Sequence, residues 1–95
     1  MTDTRREKVA ANIMTTVAQM LQGRIKDPRL GFVTVTSVEV TGDLQHAKVY
    51  YTAWGSESQQ SASAAALNSA KGLIRTAVGK SLGTRLTPTL EFVTD

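Results

Sequence analysis

Apolar residues recur along this chain at two periods, and the switches between them outline its elements. Val9, Ile13, Val17, Met20 and Leu21 fall at helical spacing, the stripe of an amphipathic helix. Thr4 and Glu7 supply the S/T-x-x-E signature of a capped start, and Gly23 supplies a stop. The stretch "KDPRLG" (26–31) is turn chemistry, since Pro28 drives Asp27 out of the helical region and Gly31 relaxes the backbone. A period of two takes over in "FVTVTSVEV" (32–40), a strand whose phase slips between Val33/Val35 and Val38/Val40. A β-bulge near Ser37 reconciles the two halves. After the turn "TGDL" (41–44), the strand "QHAKVYYTAW" (45–54) returns. It carries Ala47, Val49, Tyr51 and Ala53 on one face and His46, Lys48, Tyr50, Thr52 and Trp54 on the other.

The polar loop "GSESQQS" (55–61) leads into a second helical run, from about Ser61 to Leu82. On a wheel of about 100° per residue, Ala66, Leu67, Ala70, Leu73, Ile74, Ala77 and Val78 form the core arc. Gly72 and Gly79 interrupt this run, and each costs a helix about 0.5–1 kcal/mol relative to alanine. Asn68, Lys71, Gly72, Arg75 and Gly79 fall on the opposite arc, so glycines and cations share a surface. Glycine there admits the close approach of a sugar-phosphate backbone, and Lys71 and Arg75 can reach phosphates. The plainer reading of Gly72 is a kink. A third strand, "LTPTLEFV" (86–93), closes the chain, with Pro88 at an edge or strand start. The order predicts an α+β fold, helix-strand-strand-helix-(kink)-helix-strand, with a three-stranded sheet covered on one face by helices.

The 95 residues suit one domain spanning 1–95, and 41% hydrophobic with 20% charged residues is the composition of a folded protein. No cysteine is present, which removes disulfides, thiolate metal sites and thiol nucleophiles. No membrane span or cleavable leader is evident, so the expected location is cytoplasmic.

Charge sharpens the picture. The net charge is +3, and the stretch between Gln59 and Leu90 holds Lys71, Arg75, Lys80 and Arg85 with no acidic residue. Arg5, Arg6 and Lys8 form a second basic group, and Arg24, Lys26 and Arg29 a third. Clustered charge of one sign points to a polyanionic partner. Arg5 and Arg6 lie in the first turn of their helix, where the dipole disfavours cations and a phosphate is welcome. An enzyme is not expected, because the single histidine, His46, lies near no activated nucleophile. The same scarcity argues against a metal site, and no cofactor or small-molecule substrate is expected.

The blocks "DPRLGFVTVTSVEVTGDLQHAKVYYTAWG" and "ALNSAKGLIRTAVGKSLGTRLTPTLEFV" resemble bacterial ribosome-binding factor A, from about Arg5 to Val93. Ala70-Lys71-Gly72 matches the Ala-x-Gly interruption between two helical segments of that family. The resemblance implies a type II KH-like fold and a monomeric cytoplasmic factor that binds free 30S subunits. It also implies a role late in 16S rRNA maturation, including 5′-end processing, and in growth in the cold. Differential binding suffices as a mechanism, because preference for one rRNA conformation shifts the population. The residues that charge clustering and the helix wheel nominate for RNA are Arg5, Arg6, Lys8, Asn68, Lys71, Gly72, Arg75, Lys80 and Arg85. The chain has no Gly-x-x-Gly clamp, since Gly79 to Gly83 is one residue too long, so recognition by backbone and shape is expected. Many relatives are more basic, with an aromatic residue, where this chain reads "KSLGTRLTP". A rival reading uses the aromatic sheet face of Tyr50 and Trp54 to bind protein.

Overall fold

The computed structural model describes residues 4–83 and 87–95. Helix α1 (Thr4–Gln19) passes directly into a π-helical turn (Met20–Arg24), followed by strands β1 (Val33–Val40) and β2 (His46–Ala53). Helices α2 (Glu57–Ser69) and α3 (Lys71–Leu82) precede strand β3 (Thr89–Thr94). The sheet order is β1-β2-β3, with β1 antiparallel and β3 parallel to the central β2. A parallel partner obliges the chain to cross back over one sheet face, and α2 and α3 make that crossing.

The core forms where α1 and α3 lie on the sheet. Ile13, Val17 and Met20 from the first helical segment meet Ile74 and Val78 from α3 over Val40, Ala47, Val49 and Leu90. Along β2 the alternation is as expected, with Ala47, Val49 and Tyr51 buried. The bulge in β1 is present: Val35 pairs with Tyr51 and Ser37 with Tyr50, leaving Thr36 as the extra residue. It lets Val35, Val38 and Val40 all turn toward the helices despite their mismatched phase.

Several boundaries differ from expectation. Thr4 is already helical, so the Thr4/Glu7 pair lies inside the first turn of α1 and not ahead of it. Gly23 does not stop a regular helix. It sits inside the π turn, closed by the Ile25 N–H donating to the Met20 carbonyl at 3.1 Å. The wider turn lets Ile25 pack against the core alongside buried Met20. Helix α2 starts four residues earlier than expected, at a capping box missed in the sequence. Ser56 Oγ accepts from the Gln59 N–H, and Gln59 Oε1 accepts from the Ser56 N–H. Strand β3 starts at Thr89, after Pro88, which has no N–H to give a ladder.

The second helical run is two helices. Ala70 separates them at φ −87°, ψ −1°, yet its N–H still reaches the Ala66 carbonyl and its carbonyl still accepts from Ile74. The axis changes direction without stranding backbone groups. One core assignment fails as a result: Leu73 is 55% exposed. A single straight wheel carries it inward, but the break at Ala70 turns α3 so that Ile74 and Val78 face the sheet.

Candidate functional site

The break between α2 and α3 is held from below by the loop that precedes β1. Pro28 and Gly31 shape this loop so that Arg29 folds back on Asp27, with Nη2 on Oδ2 at 2.6 Å and Nε on Oδ1 at 3.0 Å. The Arg29 backbone N–H also donates to Asp27 Oδ1. These bonds, the side-chain ones foremost, hold the Asp27 carboxyl at a pKa of about 2, against an ordinary 3.8. The guanidinium then reaches Ser69 Oγ at 3.0 Å, at the last residue of α2. Two turns earlier, fully buried Ser63 accepts from the Gly31 N–H at 3.0 Å. Together these contacts fix where α2 ends, and so where Ala70, Lys71 and Gly72 lie.

Beyond the break, the two glycines of α3 play different parts. A Cβ at Gly72 would meet nothing within 4 Å, so the backbone there is open to a partner. A Cβ at Gly79 would meet Thr87 Oγ1 at 2.5 Å, so the close approach there is made by the chain leading into β3. Arg75 is drawn to that chain too: Nη2 donates to the Thr87 carbonyl at 3.0 Å and Nε to the Pro88 carbonyl at 3.3 Å. The surface expected to run from Asn68 to Gly79 is therefore divided. Asn68, Gly72 and Arg75 are exposed and Lys71 and Gly79 half-buried, with the Arg75 guanidinium and Gly79 turned to the strand connection.

Lys80 lies elsewhere on α3. It lines a groove of about 400 Å³ against the first helix, with Thr16, Gln19, Met20, Arg24, Ala77 and Ser81. Arg24 was not among the expected site residues. Its signal was available, a cation beside a glycine at the helix end, but the residue comes opposite Lys80 only through the π turn. Arg5, Arg6 and Lys8 are exposed at the start of α1, where the Arg6 guanidinium lies against Gly42 of the β1–β2 turn. That turn and the Arg29 loop lie at opposite ends of β1. Arg85 lies outside the described residues. Among the described residues, no group of three or more acidic or histidine side chains could hold a metal ion, and no helix is long and apolar enough to cross a membrane.

Three helices on one face of a mixed three-stranded sheet, with a break between the last two, define a KH-like α+β protein. The family model for ribosome-binding factor A matches residues 5–95, and the chain belongs to that family. It is 57% identical to ribosome-binding factor A of Kocuria rhizophila over 96% of its length, and 58% identical to that of Thermobifida fusca over 96%. The chain spans about 60% of the length of each of these relatives. Among solved structures, the crystal structure of ribosome-binding factor A from Thermus thermophilus superposes with a TM-score of 0.77 at 28% identity, covering 94% of each chain. A homology model of the Thermus protein, fitted into the cryo-electron-microscopy map of a 30S–RbfA complex, superposes with a TM-score of 0.73 at 28% identity, covering 88% of each chain.

Proposed function

We infer that this chain is the RNA-contacting, KH-like domain of a cytoplasmic assembly factor that binds the free 30S subunit as a monomer. It assists late maturation of 16S rRNA, including processing of the 5′ end, by favouring one rRNA conformation. The observation that carries the reading is the likeness to the Thermus chain fitted on the 30S particle. The geometry nominates the contacts. Lys71 and open Gly72 offer a cation beside accessible backbone, and Arg24 and Lys80 bring two cations to one groove. With no Gly-x-x-Gly loop, affinity comes from phosphates and outline, and base identity contributes little.

Arg24→Glu combined with Lys80→Glu leaves the core untouched and removes two phosphate contacts. Co-sedimentation with purified 30S subunits at low and moderate salt is the test. The double variant should bind more weakly and with a shallower salt dependence. Unaltered binding by the folded variant would remove the groove from the site.

A further inference from the structure

The sheet face that the helices leave open carries none of the residues nominated for RNA. Cross-strand register puts Glu39, Lys48 and Glu91 in one row, and Ser37, Tyr50 and Val93 in the next. Beyond Val33 and Ala53, the Trp54 N–H donates to the Phe32 carbonyl and extends the pairing by one step. Their rings stand 6.3 Å apart, tilted by 52°, with Phe32 70% and Trp54 55% exposed. Two large aromatics left in water at one end of a sheet are unusual for a folded surface and mark a contact site.

The opposite end of the face is hollow and carries two carboxylates beside one lysine. A concavity of about 440 Å³ is lined by Glu39, His46, Lys48 and Glu91 with their neighbours on the three strands. Between the hollow and the aromatic pair stands Tyr50, whose hydroxyl donates to Glu39 Oε2 at 3.1 Å. That bond foremost, then partial burial and the nearby charges of Glu39, Glu91 and Asp95, raise the phenol above its ordinary 10.0. The row Glu39–Lys48–Glu91 sets two carboxylates against one ammonium, a net negative charge on a protein whose overall charge is +3. Phosphates are repelled where the carboxylates gather, whereas lysine and arginine side chains are attracted.

We propose that the open sheet face docks an extended, lysine- or arginine-bearing segment of a protein partner. Apolar side chains of the segment pack on Phe32 and Trp54, and its cations enter the hollow beside Glu39 and Glu91. The molecule then presents two chemically distinct sides, cationic helices to RNA and an acidic, aromatic sheet to basic protein. The sheet contact does not depend on the RNA reading.

Trp54 is the chain's single tryptophan and a built-in reporter. The full chain is titrated with a short peptide alternating lysine and valine, with a glutamate–valine peptide, and with oligouridylate. Trp54 emission and backbone amide shifts are followed. The lysine peptide should give a saturable response confined to β1–β3. Glu39→Lys with Glu91→Lys should weaken it by roughly tenfold or more while leaving the amide spectrum of α1 and α3 in place. Phe32→Ser should weaken it as well. An equal response to the glutamate peptide, or the same Trp54 response to oligouridylate, would overturn the proposal, as would self-association of the chain through this face. Binding of the Arg24/Lys80 variant to 30S subunits is measured separately, so failure of one reading leaves the other standing.

Discussion

Arg75, expected from the sequence to face RNA, also serves as a strut. Its guanidinium closes the gap between α3 and the chain entering β3 by capping the Thr87 and Pro88 carbonyls. Reversing its charge removes both donors and sets a carboxylate against two carbonyl oxygens. Arg75→Glu should cost about 1 kcal/mol, seen as a melting temperature lower by about 4–8 °C in a domain of this size. A loss of 30S binding by this variant is therefore read only after its stability is known, and the same holds for Lys80→Glu, which sets a carboxylate in the last turn of α3. Asp27 offers a second test at the same scale. Its folded pKa of about 2 lies below the ordinary 3.8, so the Arg29 pair contributes fully above pH 3.8 and is lost as pH falls through 2. A carboxyl titration followed by NMR should show the depressed value, and Arg29→Gln should return it toward 3.8.

The helices separate what local periodicity encodes from what tertiary geometry adds. The β1 bulge, the inward face of β2 and the break near Gly72 were all legible, because each leaves a mark on local periodicity. The position of Leu73 was not, since a wheel assumes the straight axis that the break destroys. The groove holding Lys80 and Arg24 was also hidden, because it depends on how far the π turn carries the chain round. Nor could spacing separate the two glycines, which differ only in what faces them. They should respond oppositely to alanine. Gly72→Ala fills open space and should stabilise α3 by about 0.5 kcal/mol, while weakening 30S binding wherever RNA needs the bare backbone. Gly79→Ala meets the Thr87 hydroxyl and should destabilise by about 1 kcal/mol, a cost that Thr87→Ala relieves. Thermal unfolding of the two singles and the double decides both.

At the scale of the whole molecule, one shared core ties the two surfaces together. Leu90 is 1% exposed and, with half-buried Phe92 beside it, joins β3 to Ile13, Val17, Ile74 and Val78. Leu90→Ala should cost about 2–5 kcal/mol, a large share of what a domain this small commands. Denaturant unfolding should show a lower midpoint with an unchanged slope if the transition remains two-state.

The parallel pairing of β3 with β2 carries a consequence for synthesis. His46 leaves the translating ribosome long before its partner Thr89, and Leu90 arrives behind both helices of the crossover. The nascent hairpin must therefore wait with one flank unzipped until the final strand slots in as a latch. A chain stalled short of that strand would be held unfinished, exposing the apolar surface that Leu90 later seals.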